Sequence, residues 1–321
     1  IKNVAAADQV VDTVTVTEEL INMKELENIG GVETNIINFL RHFDNEAIVA
    51  DVLVKGSSFR FEKEINELGG KVIYMPNYLP NVKAYRQKLK RVFDREKYDA
   101  VWCNYSGLTN IEVLKIAKES NVPIRVAHSH VTGLSWGSNL AKAIVVPLHN
   151  LNKRRIGKYA TDYWCCTEDA GKFMFPKKFW KDLVVVKDAI DLDKYVFDIN
   201  NRNEIRRKYG LGEELVVGHV GRFTLAKNQK YLLDIFKQVL NDEPNAKLLF
   251  VADGELENDI KTYAKEIDVY DNVIFTGRVD DVSKYYSAMD VFLLPSFFEG
   301  LGMVLIEAQA SGTPCITSTN I

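Results

Sequence analysis

Two carboxylates flank a short glycine turn near the end of the chain. Glu299 and Glu307 stand on either side of Gly300-Leu301-Gly302, and the run that follows this turn is small or apolar except for Glu307. Its spacing predicts a helix over Val304–Ser311, and the N–H groups and positive dipole at the start of such a helix suit a phosphate. Because a helix that is apolar on most sides is buried, Glu307 needs hydrogen-bond donors, which a pair of sugar hydroxyls could supply.

Arg222 and Lys227 are the second candidate pair. They stand five residues apart, in a predicted loop that follows a strand and precedes a helix. This placement lets a guanidinium and an ammonium bind one diphosphate together. When a nucleotide diphosphate leaves a sugar, fixed cations must stabilise the negative charge that develops on it.

The family resemblance depends on several motifs that occur in a fixed order. They are Gly30-Gly31-Val32-Glu33, Arg125-Val126-Ala127-His128-Ser129-His130, Gly218-His219-Val220-Gly221-Arg222-Phe223 with Lys227-Asn228, and Asp290-Val291-Phe292-Leu293-Leu294-Pro295-Ser296 before Glu299. With the E-x7-E spacing of Glu299 and Glu307, this order resembles the retaining glycosyltransferases of family 4, which have the GT-B fold. The resemblance covers roughly residues 28 to 321 and is strongest to bacterial enzymes that build capsular or exopolysaccharide repeat units.

The resemblance implies roles for individual residues. His128 would contact the donor sugar near the bond that breaks, with His130 as the alternative because the register of the strand is open. Glu299 would contact sugar hydroxyls and is not assigned as a nucleophile, since same-face attack assisted by the leaving phosphate is the usual proposal for this family. Glu307 would hold the ribose. The remaining expected contacts are Gly300, Leu301, Gly302, Asp253, Gly254, Arg278 and Val279 on the donor side, and Gly30, Gly31 and His130 on the acceptor and phosphate side.

Length and composition are those of an ordinary two-domain protein. The 321 residues are 46% hydrophobic and 26% charged, and no apolar run approaches the ~20 residues of a membrane-spanning helix. We recognise no signal peptide. The four cysteines lack metal-ligand spacing and lie in apolar surroundings, so we expect buried free thiols in a reducing cytoplasm.

The charge is unevenly distributed. Residues 1–190 carry 27 basic and 23 acidic residues, whereas residues 191–321 carry 14 and 21. The densest basic segment is 83–97, which could contact anionic lipid or could pack as a helix on its own domain with a solvated outer face. We favour the second interpretation, because the few apolar residues of the segment would be used in the interior. Nucleic-acid binding is disfavoured, since the whole protein is mildly acidic and lacks a recognition motif.

Strands and helices alternate along the chain, which predicts parallel α/β sheets. We expect a GT-B fold with two Rossmann-like domains facing across a cleft, an acceptor-side domain over 1–190 and a nucleotide-sugar domain over 191–321. The predicted strands are Ala47–Val54, Lys71–Met75, Asp99–Cys103, Ile124–Ala127, Leu215–Val220, Ala246–Val251, Asn272–Phe275, Val291–Leu294 and Pro314–Thr317. The predicted helices, besides Val304–Ser311, are Val32–His42, Arg60–Leu68, Glu112–Ser120, Asn228–Asn241 and Glu255–Ile267.

Two places depart from the family pattern. Glu18–Asn28 is too charged to be the first strand, so either Val10–Val16 forms it or the N-terminus is irregular. The chain also stops soon after the Pro314 strand, where relatives continue with further elements, so the second domain is expected to be truncated at its end.

The leading hypothesis is a retaining, hexosyltransferase-type enzyme that moves sugar from a UDP-sugar to a glycan or lipid-linked acceptor. Asp191-Leu192-Asp193 resembles a metal-binding Asp-x-Asp, but it falls in the expected interdomain segment, so we expect metal-independent catalysis without a cofactor. The location would be cytoplasmic, with possible peripheral contact at the inner face of the cell membrane. The alternatives are a nucleotide-sugar 2-epimerase of similar fold and a non-catalytic sugar-nucleotide-binding partner of another transferase.

Overall fold

Strands and helices alternate in two units of the chain, Ile1–Ala189 and Ile190–Ile321, whose division lies one residue from the predicted boundary. The computed structural model describes residues 13–18, 31–44, 47–134, 139–279 and 281–319. Each unit is built around its own parallel sheet.

The first unit contains a seven-stranded sheet in the order β3-β2-β1-β4-β5-β6-β7, with every described pair parallel. Its strands are β1 Thr13–Glu18, β2 Val49–Lys55, β3 Val72–Met75, β4 Ala100–Tyr105, β5 Ile124–Ser129, β6 Asp162–Cys165 and β7 Leu183–Val185. The strand order reverses between β1 and β4. Of the two alternatives for the N-terminus, a strand near Val10–Val16 is therefore the correct one, and this strand runs over Thr13–Glu18.

The helices of the first unit are α1 Gly31–Arg41, α2 Glu62–Glu67, α3 Val82–Glu96, α4 Glu112–Glu119, α5 Asn139–Arg155 and α6 Glu168–Met174. Sequence reasoning made no prediction for α5, α6, β6 or β7. The helices cover both faces of the sheet, because neighbouring residues of one strand fall in different apolar clusters. Val101 and Cys103 belong to one cluster and Trp102 to another, as the alternation of side chains along a strand requires.

The second unit contains a five-stranded parallel sheet in the order β10-β9-β8-β11-β12. Its strands are β8 Val216–Val220, β9 Lys247–Val251, β10 Val273–Phe275, β11 Val291–Leu294 and β12 Cys315–Thr317. Its helices are α7 Leu192–Tyr195, α8 Ile199–Lys208, α9 Gln229–Asp242, α10 Glu257–Glu266, α11 Ser283–Tyr286 and α12 Met303–Ala310. The order reverses between β8 and β11, and in such sheets ligands bind beyond the carboxyl ends of the strands at this switch point.

The basic segment 83–97 forms α3, and its apolar side is used inside the first unit. Tyr85, Leu89 and Phe93 are buried, and Arg86 lies 3.0 Å from Glu112. This packing is the interpretation that the sequence favoured.

Two further expectations concern cysteines and membrane spans. Cys103, Cys165 and Cys166 are buried free thiols, whereas Cys315 is only half-buried. Within the described ranges, none of the helices has the length and apolar character needed to cross a membrane.

Candidate active site

In the second unit, the loops after β8 and β11 are joined at the switch point of the sheet. The backbone N–H of Phe297 donates to the carbonyl of Ala226 across 2.8 Å. The Asn228 side-chain amide donates to the carbonyl of Pro295 across 3.2 Å. These bonds hold the loop that carries Arg222 and Lys227 against the loop that carries Glu299.

The ammonium of Lys227 donates to Oε1 of Glu299 across 2.8 Å, although the residues are 72 positions apart. The same oxygen accepts a hydrogen bond of 2.6 Å from the Ser296 hydroxyl. The side chains of Lys227 and Glu299 are only 19% and 13% exposed, so solvent screens this pair less than a surface ion pair. The loop that carries Lys227 and the segment that carries Glu299 therefore lie together within this unit.

The backbone of Arg222 is fixed by two buried residues. Its carbonyl accepts from the side-chain amide of Gln229 across 2.7 Å, and that amide lies 3.3 Å from Nε2 of His219. The other ring nitrogen of His219 lies 2.9 Å from the carbonyl of Leu293, so Nδ1 donates and Nε2 accepts. Burial lowers the pKa of His219 to about 4, which keeps the ring neutral.

The loop after β9 packs on the same switch-point loop. Phe223 N–H donates to the carbonyl of Asp253 across 2.7 Å. Gly254 has a φ of 143°, and a Cβ there would lie 2.7 Å from the backbone nitrogen of Phe223. Only glycine fits this close approach. The predicted residues Asp253 and Gly254 therefore lie against the Arg222 loop.

The acidic helix α12 begins after Gly302, one residue earlier than predicted. Gly302 has a φ of 65° and occupies the N-cap, so the cap has no side chain to accept from the first N–H groups of the helix. Gly300 and Leu301 complete the turn that leads into it and are half-buried. This N-terminus keeps the donor character that the sequence predicted.

Glu307 is 8% exposed, and its donors are protein hydroxyls. Tyr195 donates to Oε1 across 3.1 Å and Tyr286 donates to Oε2 across 2.6 Å. Burial raises the pKa of Glu307, and the two tyrosine hydrogen bonds oppose this rise. The structure agrees with the argument that a buried carboxylate needs donors and supplies two tyrosine hydroxyls, whereas the contact with sugar hydroxyls stays a prediction. Each oxygen still has a second lone pair for a ligand.

The remaining predicted residues of the second unit lie in loops or caps. Arg278 is exposed and Val279 packs partly buried against the core, both after β10. Asp191 accepts from the N–H of Asp193 across 3.2 Å and caps α7, which agrees with the structural interpretation of the Asp-x-Asp sequence.

In the first unit, His128 lies within β5 and is fully buried. The indole N–H of Trp102 donates to its Nδ1 across 3.1 Å, so the neutral ring carries its proton on Nε2. Nε2 is buried and makes no hydrogen bond of normal geometry within the described residues. Burial and the neighbouring His130 hold the pKa of His128 well below its usual value, against an opposing contribution from the Val186 backbone.

His130 follows immediately after β5, and its ring centroid lies 4.1 Å from that of His128. Its Nε2 lies 2.7 Å from Oδ1 of Asn104, and its Nδ1 lies 3.2 Å from Oδ1 of Asp188. Asp188 also accepts from the side-chain amide of Asn35 in α1 across 2.7 Å. Sequence reasoning missed Trp102, Asn104, Asn35 and Asp188, which come from three separate segments and carried no motif.

His128, His130 and Asp188 are the one group in the described part of the chain whose potential metal-ligand atoms all lie within 4.8 Å of one another. The donor pattern does not suit a metal. A neutral histidine that binds a metal through Nε2 must carry its proton on Nδ1, and Nδ1 of His128 faces the N–H of Trp102. The pattern instead presents an N–H donor, which suits a hydroxyl.

The double glycine is only partly described. Gly31 begins α1, whereas Gly30 lies outside the described residues. The contact predicted for Gly30 stays a prediction.

Comparison with protein families matches both units. Residues 29–193 match the model described as Glycosyltransferase Family 4, and residues 201–321 match Glycosyl transferases group 1. The chain is 31% identical over 307 residues to the protein named as glycosyltransferase EpsF of Bacillus subtilis, covering 92% of this chain and 77% of that one. It is 27% identical over 260 residues to the UDP-Gal:alpha-D-GlcNAc-diphosphoundecaprenol alpha-1,3-galactosyltransferase of Escherichia coli, covering 77% and 66%.

Solved structures support the fold. The Anabaena protein Alr3699/HepE in complex with UDP and glucose superposes with a TM-score of 0.74 at 15% identity, covering 95% of this chain and 80% of that one. The sucrose-phosphate synthase of Thermosynechococcus elongatus gives a TM-score of 0.70 at 16% identity, covering 96% and 81%. At this identity the likeness establishes the fold alone. The family matches and the identity to EpsF establish that the chain belongs to glycosyltransferase family 4, with the GT-B fold.

Proposed function

We propose that this glycosyltransferase moves a hexose, with retention of configuration, from a UDP-sugar to a glycan or lipid-linked acceptor in surface polysaccharide synthesis. The observation that carries the proposal is the contact between Lys227 and Glu299. It brings a cation for phosphate and a carboxylate for sugar hydroxyls to the switch point of the second sheet, where this sheet type binds ligands.

The basic loop would stabilise the leaving group. Lys227 has three N–H donors, and Glu299 takes one of them. The other two can reach phosphate oxygens, and Arg222 stands at the start of the same loop. The N–H groups at the start of α12 add a further positive end. Together these groups would stabilise charge that develops on the β-phosphate, without a metal ion.

The carboxylates would hold the two sugars of the donor. Glu299 would accept from hydroxyls of the transferred sugar, and its bonds to Lys227 and Ser296 fix its position. Glu307 would accept from the ribose with its second lone pairs, in a position fixed by two tyrosines. In the first unit, the Nε2–H of His128 would donate to the transferred sugar.

Two of the similar proteins support the choice of substrates. The Escherichia coli relative has UDP-Gal as donor and a diphosphoundecaprenol acceptor in its name, and the Anabaena structure contains UDP and glucose. A lipid-linked acceptor would bring this enzyme to the inner face of the cell membrane. We therefore propose a cytoplasmic enzyme with peripheral membrane contact.

The test is incubation with a panel of UDP-sugars and a lipid-linked acceptor, followed by determination of product stereochemistry. An α-linked product from an α-configured donor is expected. Release of an isomerised free sugar would instead identify a 2-epimerase, and binding of UDP-sugar without turnover would identify a non-catalytic partner.

A further inference from the structure

Helix α5 presents an apolar stripe to solvent. Leu140, Ile144, Leu148 and Leu151 are 75%, 55%, 40% and 41% exposed. Their spacings of four, four and three residues place them on one face of the helix, and Pro147 lies exposed on the same face. Helices on the surface of a domain normally turn such a face inward.

The side of α5 that faces the domain is polar instead. His149 accepts from the backbone N–H of Leu108 across 3.1 Å, and Asn152 donates to the carbonyl of Leu108 across 2.8 Å. The ammonium of Lys153 donates to the carbonyls of Lys172 and Phe173. These bonds fix the rotation of the helix about its axis, because rolling the stripe inward would leave buried polar groups unpaired.

Basic residues follow the apolar stripe at the C-terminal end of α5. Arg154 and Arg155 in the last turn of α5, and Lys158 in the short 3-10 turn that follows, are all exposed. Helical spacing places Arg154 and Arg155 on the same side as the four apolar residues, and Lys158 follows directly after the helix. The sequence contains no Asp or Glu from residue 120 to residue 161.

We propose that this face of α5, from Leu140 to Lys158, docks the enzyme on an anionic lipid surface. The apolar stripe would enter the boundary between headgroups and acyl chains, and the cations would contact lipid phosphates. The inference deepens the proposed peripheral location, on which it rests, and identifies the surface that makes the contact.

Charge favours lipid over a second copy of the chain. In a two-fold symmetric dimer the same face meets itself, and this face would bring cations without acids to balance them. Helix α3, the basic segment that the sequence analysis identified, is less suited to lipid contact than α5. The apolar residues of α3 are buried, and its Lys90 lies 2.9 Å from Asp94.

The experiment is co-sedimentation with vesicles of phosphatidylcholine alone or mixed with phosphatidylglycerol. The protein is expected to bind the mixed vesicles and to bind phosphatidylcholine at least tenfold more weakly. Replacing Leu140, Ile144 and Leu148 by serine should reduce binding to mixed vesicles by at least tenfold. Arg154→Gln with Arg155→Gln should reduce it roughly fivefold for each charge removed, from the ~1 kcal/mol that a cation contributes near such a surface.

The matched control is Lys83→Gln with Arg95→Gln, which removes two exposed cations from α3 and should leave vesicle binding within twofold of wild type. Thermal unfolding and UDP affinity should match wild type in all variants, because every replaced side chain is exposed. Absence of binding to mixed vesicles, an equal loss in the α3 control, or a change of oligomeric state in the serine variant would overturn the proposal. Since vesicle binding requires no turnover, failure of the transferase assay would leave this result standing.

Discussion

The indole N–H of Trp102 lies 3.1 Å from Nδ1 of His128 and donates to it from the neighbouring strand. The two residues come from β4 and β5, and their rings stack with centroids 5.8 Å apart. This single hydrogen bond assigns the proton of the neutral ring to Nε2, the nitrogen that the proposed mechanism uses as a donor. In the proposed mechanism, Trp102 would therefore be a positioning residue.

Trp102→Phe should lower kcat by up to about tenfold, because a net hydrogen bond of ~1 kcal/mol that fixes the ring is lost. The 15N chemical shifts of the His128 ring should report a mixture of tautomers. Trp164→Phe is the matched control, since Trp164 packs its ring edge against the same histidine with centroids 6.0 Å apart. Equal losses of kcat in both variants, with an unchanged tautomer, would reduce Trp102 to a packing role.

Lys227→Ala should lower turnover by ~10²–10³-fold and weaken UDP binding far less, because the ammonium acts on charge that develops during the reaction. Kinetics at saturating donor and UDP titration by calorimetry measure the two effects separately. Lys230→Ala, which removes an exposed lysine of α9, should change neither. If turnover and UDP affinity fell together, Lys227 would serve only to anchor the nucleotide.

Removal of Lys227 also leaves Glu299 without the ion pair of 2.8 Å. A cycle with Glu299→Gln separates this effect from the loss of the cation. The double variant should recover thermal stability relative to Lys227→Ala, because the carboxylate that has lost Lys227 is replaced by a neutral amide. It should not recover turnover.

Glu307 has a structural role and a proposed ligand-binding role, and two different variants test these roles separately. Tyr286→Phe removes the 2.6 Å hydrogen bond to Glu307 and should lower the free energy of unfolding by about 1–3 kcal/mol, with UDP affinity within a few fold of wild type. Glu307→Gln keeps the side-chain shape and should weaken UDP at least tenfold, since hydrogen bonds to a charged acceptor contribute about 1.5–3 kcal/mol. Unchanged UDP affinity in Glu307→Gln would remove the residue from the ribose site.

The same residues show how far sequence could lead. The E-x7-E spacing and the positions of Arg222 and Lys227 predicted the switch-point site, because parallel strands bring the loops that follow them to one edge. The tyrosine donors of Glu307 could not be predicted, since Tyr195 lies 112 residues from it in the chain. Both are tertiary contacts without a local pattern.

Helix α5 was missed for a different physical reason. The apolar stripe of α5 is exposed to solvent, whereas His149 and Asn152 are buried and form hydrogen bonds to the backbone of Leu108. Pro147 also interrupts the helical sequence, and proline usually ends a helix. The pattern of α3, with apolar residues toward the core, follows the ordinary rule and was interpreted correctly.

The final prediction concerns stability at low pH. Burial lowers the pKa of His219 from the ordinary 6.5 to about 4 in the folded protein. Between these values the unfolded chain binds a proton at this residue and the folded chain does not, so the free energy of unfolding falls as pH falls from about 6.5 toward about 4. Above 6.5 this contribution is fully present.

His219→Gln should remove this contribution, which amounts to about 1.4 kcal/mol per pH unit within that window. Denaturant unfolding of wild type and of His219→Gln at several pH values measures the two slopes. His149, whose pKa burial also lowers to about 4, stays in both proteins and contributes equally. If the slope of His219→Gln equalled that of wild type, the buried ring would accept its proton in the folded state, and burial would not keep it neutral.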